Sequence, residues 1–349
     1  MSVKELKQKI FDGNYISREE AISLLSEPLD ELCKAADEIR EKFCGNTFDM
    51  CTIINGKSGK CSENCKYCAQ SSFYKTCVEE YPLLDTEKLL EQAVYNYNKG
   101  VLRYSVVCSG KKLSDKEVDS LCESIREIKK VCPVSICVSA GLLDRKNFQK
   151  LKDAGVDRVH NNLETSQRFF ENVCTTHTFQ DKIDSIKAAQ LAGLEVCSGG
   201  IMGLGESMED RIDMILKIRE LGIKSVPVNL INPIPNTPFE KNEIPSYDEI
   251  KRITAVFRFL VPDGFIRLAG GRSLMPDKGA ELFRSGANAC ISGDMLTTQG
   301  ITIDNDMKTV SGLGYEVKYS ERKKYFFVHR CRYARSDRRE RMCKAILIK

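Results

Sequence analysis

No apolar run of about 18 residues occurs in this 349-residue sequence, so no membrane-spanning helix is expected. The opening stretch, MSVKELKQKIFDGNY, is charged and amphipathic. It lacks the apolar core and small-residue cleavage site of a secretion signal, and a soluble, cytoplasmic protein is expected. No internal repeat or low-complexity segment stands out. A disulfide scaffold is excluded too: 16 cysteines in 349 residues is too sparse, and 42% hydrophobic content supplies a core that needs no staples.

A basic body is also missing, despite a formal net charge of +4. From Lys318 to the C-terminus there are twelve Lys/Arg against three Asp/Glu, and setting aside that +9 leaves −5 for the rest. The mildly acidic body gives no electrostatic reason for nucleic-acid binding. The basic tail, 319–349, reads as a solvated extension, with an RNA-binding arm as the competing idea.

What the chain does have is alternation. Three helical patterns (3–11, 17–26 and 29–44) form an N-terminal helical extension over 1–45, and Ser17 with Glu20 makes a capping box. Strand candidates follow at 51–56, 102–108, 134–140, 156–163, 195–202, 225–231, 264–270 and 288–293. Between them lie helical patterns near 86–99, 114–131, 144–154, 178–193, 207–221, 246–260 and 276–286. Eight strands separated by helices predict an α/β fold with parallel pairing, a closed (β/α)8 TIM-type barrel over 46–318. Its chemistry belongs at the C-terminal ends of the strands.

The cysteines cluster where that rule asks. GKSGKCSENCKYCAQSS sets Cys61, Cys65 and Cys68 in a C-x3-C-x2-C pattern just after the first strand candidate. Three thiolates within eight residues wrap one metal centre but cannot complete zinc's four-coordination alone. On a 4Fe-4S cluster they leave one iron open to a ligand. With Tyr67 just before the last cysteine, the loop resembles the signature of radical S-adenosylmethionine enzymes. That resemblance implies that S-adenosylmethionine binds the open iron and is cleaved to a 5′-deoxyadenosyl radical.

Cys108, Cys137 and Cys197 sit on or at the ends of three other strand candidates. Each alone reads as a small buried hydrophobe, but inward residues of different barrel strands converge. Arg267, in IRLAGGR, is a cation in an apolar strand. It must face an anion, either an internal carboxylate or a metal cluster. Cys108 in VCSG, Cys137, Cys197 in VCSGGIMGLGE and Arg267 in IRLAGGR are similar, one by one, to the set that holds a 2Fe-2S cluster in biotin synthases. The resemblance covers about 45–318.

It implies a sulfurtransferase that inserts sulfur between C6 and C9 of dethiobiotin, the sulfur coming from the 2Fe-2S cluster. It further implies a flavodoxin- or ferredoxin-type electron donor, a homodimer, and no acid–base machinery of note. In the same terms S-adenosylmethionine is contacted by Tyr67, by Asn162 and Glu164 of RVHNNLETS, and by Gly199, Gly200, Ile201, Gly203 and Glu206 of GGIMGLGE. The substrate contacts are His160 and Asn229. Two departures stand out: Glu164 occupies an aspartate place, and His160 replaces an asparagine. Read without the resemblance, the glycines serve tight packing and the 158–166 run caps a helix. His177 serves a local turn, and the other cysteines, Cys51 and Cys174 among them, fill the core or lie free on the surface.

Two enzyme relatives compete: the hydrogenase-maturation and methylornithine-forming kinds share the loop and barrel without needing the second set. A non-catalytic iron–sulfur electron carrier is the alternative from another class. It would need neither an open iron nor a full-size barrel.

Overall fold

The computed structural model describes residues 1–296 and 300–319; from residue 320 onward the expected basic tail lies outside the described residues. Three helices, α1 (Val3–Phe11), α2 (Arg18–Ser23) and α3 (Leu29–Cys44), open the chain. The Ser17–Glu20 capping box is present, and Ser2 with Glu5 makes another. Each box satisfies backbone N–H groups that a helix start leaves unbonded.

The alternating segment then runs β1 (Thr47–Lys57), α4 (Thr86–Asn98), β2 (Arg103–Cys108), α5 (Asp115–Val131), β3 (Ser135–Ser139), α6 (Arg145–Ala154), β4 (Val156–His160) and α7 (Phe179–Leu191). It continues through β5 (Glu195–Cys197), β6 (Gly200–Met202), α8 (Met208–Glu220), β7 (Ser225–Leu230), α9 (Tyr247–Leu260), β8 (Phe265–Leu268) and β9 (Ala289–Ser292). All pairings in the cylinder are parallel, and β9 returns to β1 in register Asp49↔Ala289 to Thr52↔Ser292, closing it. Counting β5 with β6 as one stave gives eight staves, so the barrel expected from the alternation is the barrel found.

Two local expectations fail. The fifth strand is broken at Ser198–Gly199 into β5 and β6. The helix expected at 276–286 does not form; there are only 3-10 turns at Arg272–Leu274 and Glu281–Arg284. Pro276 lacks the N–H a helix needs, and Lys278 and Gly279 have φ of +57° and +83°, which cannot continue a right-handed helix. The layer is completed instead by an unforeseen helix, α10 (Ile303–Gly312), followed by β10 (Glu316–Val317) beside the start of β1.

Outward residues of the staves, such as Val106, Val138 and Ile266, join the surrounding helices in one contiguous apolar core. Val3, Leu6 and Ile39 of the N-terminal helices belong to the same core. The inward residues are of another kind, and they make the site.

Candidate functional site

Side chains alternate across a strand, so Asp49, Cys51 and Ile53 of β1 share its inner face. Asp49 is 1% exposed and gathers three arginines. Arg103 Nε donates to its Oδ2 at 2.8 Å, Arg267 Nη2 to its Oδ1 at 2.8 Å, and Arg158 Nη1 stands 4.0 Å away. Arg158 also reaches the rim carboxylate of Glu195 at 2.7 Å. The cations hold the Asp49 carboxyl far below the usual range, although burial opposes this. Arg267 is further tied to the carbonyls of Asp49 and Cys290, at 3.0 and 2.9 Å. Its expected anion is therefore, in part, an internal carboxylate.

Three buried guanidinium groups around two carboxylates leave a positive floor, and thiols line the space next to it. Cys51, Cys108, Cys137 and Cys197 all face one cavity of about 410 Å³, together with Arg158 and Arg267. Burial would raise the Cys197 thiol, but a hydrogen bond with His160 and the charges of His160, Arg267 and Arg158 bring it down to about 7. Ser225 Oγ donates to the same sulfur at 3.1 Å. The neighbouring Cys51 thiol and the charges of Arg158 and Arg103 lower Cys137 against its burial, and Cys51 is raised in turn, its S–H directed to Thr52 O at 3.4 Å. Cys108, remote from this charge, is pushed by burial up to about 12. Cys51, which in sequence reads as a core filler, joins this wall because it shares the inner face of β1 with Asp49.

The three-cysteine loop lies over the same cavity, with Cys61 and Cys68 in its wall. Cys61 N donates to Gln70 O at 3.0 Å and Cys68 N to Cys65 O at 3.0 Å, which folds the loop back on itself. Asn64 pins it to the segment after β4: Thr175 N and Thr176 N donate to Asn64 Oδ1 at 2.9 and 3.3 Å. The Cys65 side chain does not line the cavity. It meets Cys174 instead, and that contact raises its thiol while lowering Cys174's.

Of the residues expected to touch S-adenosylmethionine, Tyr67, Asn162, Glu164 and Ile201 line the cavity. The Tyr67 phenol meets the Glu164 carboxylate. Glu164 has φ +70°, an uncommon conformation for a residue with a side chain, and is held there by Gly199 O, which accepts from its N–H at 3.0 Å, and by Ile201 N, which donates to its carbonyl at 3.0 Å. Asn162 Oδ1 accepts from Gly199 N at 3.0 Å. Gly199, Gly200, Gly203 and Glu206 lie outside the cavity lining. A Cβ on Gly199 would stand 1.9 Å from Pro227 O, and one on Gly200 would stand 2.3 Å from Glu164 O; the close approach they permit is to protein backbone. Glu206 braces the following turn, accepting from Gly203 N at 3.0 Å and from Arg211 Nε at 2.5 Å.

Of the two expected substrate contacts, both line the cavity, and both already have protein partners. His160 is bonded to Cys197, as above. Asn229 donates to Gly200 O at 3.0 Å and accepts from Gly270 N at 2.9 Å, which leaves one N–H and one lone pair. Beside them stands Asn161, 6% exposed and also in the wall, whose Nδ2 has no protein partner. A buried donor of that kind fits a polar ligand in the cavity.

The Radical SAM superfamily profile matches residues 55–218, and that of the Biotin and Thiamin Synthesis associated domain matches 227–316. The biotin synthase of Brachyspira hyodysenteriae is 58% identical over 321 residues, 92% of this chain and 96% of that one. The chain belongs to the biotin synthase family. The biotin synthase of Akkermansia muciniphila agrees, at 60% identity over 90% of this chain and 98% of its own. Membership makes the protein a radical S-adenosylmethionine enzyme that inserts sulfur, dependent on S-adenosylmethionine and iron–sulfur chemistry. In fold alone the chain is similar to methylornithine synthase (TM-score 0.78, 19% identity, 90% of this chain and 97% of that one). It is similar in the same sense to the hydrogenase maturase HydG (TM-score 0.79, 20% identity, 91% and 75%).

Proposed function

We propose that this biotin synthase family member closes the thiophane ring of biotin by placing sulfur between C6 and C9 of dethiobiotin, with two clusters bound on opposite walls of one cavity. The observation that carries the reading is the meeting of Cys61 and Cys68 with Cys108, Cys137 and Cys197 around a single space of about 410 Å³. Cys61, Cys65 and Cys68 hold a 4Fe-4S cluster, Cys65 after its side chain turns from Cys174. Cys108, Cys137 and Cys197 hold the sulfur-donating cluster, a 2Fe-2S cluster by resemblance, beside Arg267. Cys51, in the same lining as Cys137, joins that wall as a further thiol. When bound, these groups supply the electron that splits S-adenosylmethionine and the sulfur that enters the product.

The chain's own part is charge and position. The arginine floor offsets the negative charge of clustered thiolates, which is why a sulfur-rich anion is tolerated in a buried space. Tyr67, Asn162, Glu164 and Ile201 cradle S-adenosylmethionine, with Gly199, Gly200, Gly203 and Glu206 keeping that cradle's backbone in place. Asn161 and the spare capacity of Asn229 meet the polar ring of dethiobiotin, while His160 steadies Cys197. Apolar walls from Ile53, Val107 and Leu230 keep a radical from quenchers and fix the C–H bond it attacks. By resemblance a flavodoxin- or ferredoxin-type protein brings the electron, and the working unit is a homodimer in the cytoplasm. Among the described residues no helix is long and apolar enough to cross a membrane.

The test is an anaerobic incubation of reconstituted, reduced protein with S-adenosylmethionine and dethiobiotin, read by mass spectrometry. Biotin together with 5′-deoxyadenosine is expected. Deoxyadenosine without biotin would point to another substrate, and neither product would remove the radical reading.

A further inference from the structure

Cys65 is out of the cavity because a second nest of donors claims it. The thiols of Cys65 and Cys174 and a ring nitrogen of His177 all lie within 4.8 Å of one another. Cys174 Sγ is 3.3 Å from His177 Nδ1, and Glu63 Oε2 is 2.6 Å from the same nitrogen. Cys174, His177 and Glu63 are 2%, 7% and 5% exposed, too deep for chance surface donors. The aromatic ring of Phe170 packs against the imidazole edge-on at 5.6 Å, limiting its movement.

The segment is also built to stay. Asn64, between Cys65 and Glu63 in sequence, accepts from Cys174 Sγ at 3.3 Å as well as from Thr175 N and Thr176 N. Thr176 Oγ1 donates to Glu63 Oε2 at 2.8 Å. Neither the cavity nor the expected contacts with S-adenosylmethionine use Cys174, His177 or Glu63.

Two thiolates and an imidazole supply three donors of a tetrahedral site for a thiophilic divalent ion. The Glu63 carboxylate stands outside that group but touches the imidazole, where it can swing in as the fourth. Around zinc, with bonds of about 2.3 Å to sulfur and about 2.0–2.2 Å to nitrogen and oxygen, neighbouring donors stand roughly 3.3–3.8 Å apart. The Cys174–His177 separation already matches. The Glu63–His177 pair has to open by about 0.7 Å when a cation replaces the proton between them.

We propose that the cluster-free chain binds one thiophilic divalent cation, zinc or ferrous iron, through Cys65, Cys174 and His177, with Glu63 moving in from beside His177 to complete the four. Cys65 cannot serve this site and a 4Fe-4S cluster together, so the cation competes with cluster assembly. That consequence rests on the cluster reading above; the binding itself does not.

The probe is cobalt(II), titrated anaerobically into full-length protein stripped of iron, with thiolate-to-cobalt charge-transfer and tetrahedral d–d absorption as readout. The unsubstituted chain is expected to bind one equivalent. Removing a direct ligand, as in Cys174→Ala or His177→Gln, should weaken binding by about 100-fold or more, since even outer-shell partners are worth 10–100-fold. Cys61→Ala and Cys68→Ala should leave the spectrum unchanged. The reverse pattern, loss with Cys61→Ala and retention with Cys174→Ala, would put the ion on the loop cysteines and overturn the proposal, as would absence of tetrahedral bands in a chain whose circular dichroism is native. Zinc is expected to slow cluster reconstitution in the unsubstituted chain and not in Cys174→Ala. If cobalt binds as expected but iron and sulfide never assemble, the cation site stands and the cluster reading falls.

Discussion

Single residues decide how the barrel interior tolerates its charge, and Asp49 is the first of them. Asp49→Asn leaves Arg103 and Arg267 buried beside an amide, and the fold should lose about 3–5 kcal/mol in denaturant titrations at neutral pH. The sign of the pH dependence follows from a carboxyl held low in the folded state. Its stabilisation is complete above the ordinary carboxylate pKa of about 4 and is lost as pH falls from there toward the folded value. The gap between the two proteins should therefore narrow on acidification below about pH 4. Cys51→Ala tests the further thiol of the cavity wall, and the reconstituted variant should hold less iron and acid-labile sulfide than the unsubstituted chain, as the proposed second cluster requires. At this scale the sequence was legible where context is informative: Arg267, a cation in an apolar strand, does face an internal carboxylate, and Cys61 and Cys68 of the loop do share one cavity, while Cys65 does not line it. The sequence was silent on Cys51, because one cysteine in an apolar strand carries no mark of which face it occupies.

Elements were more legible than their interruptions. Eight apolar runs alternating with amphipathic ones sufficed for the barrel, because parallel pairing through helical crossovers leaves few other closures. The break between β5 and β6 was not visible, since EVCSGGIM reads as one strand. What divides it is contact with neighbours: Pro227 and the left-handed Glu164 press against Gly199 and Gly200. Gly200→Ala forces a methyl to 2.3 Å from Glu164 O and to 2.4 Å from Met214 Sδ. A loss of about 1–3 kcal/mol is expected in thermal or chemical unfolding. The variant's affinity for S-adenosylmethionine should fall too, because Glu164 would have to move. The helix expected at 276–286 failed for the opposite reason. Its hydrophobic pattern was sound, but Pro276 and two left-handed residues overrode it.

At the scale of the whole molecule, the site is one cavity shared by two groups of cysteines that lie up to 136 positions apart in sequence, from Cys61 to Cys197. The loop set is local and was readable as a motif. The deeper set exists only because a cylinder brings separate strands together, so recognising it required the resemblance to biotin synthases. Its positive floor could not be foreseen, since Arg103 and Arg158 gave no sign in sequence of converging on Asp49. The central claim is that the thiol-lined wall above that floor holds the sulfur that enters the product. It is tested most directly by assembling the clusters with heavy-isotope sulfide, running one turnover anaerobically with dethiobiotin and excess unlabelled sulfide, and weighing the biotin formed. Biotin carrying the heavy sulfur is the predicted result, with the label lost when Cys137 and Cys197 are replaced by alanine. Biotin carrying only unlabelled sulfur would contradict it.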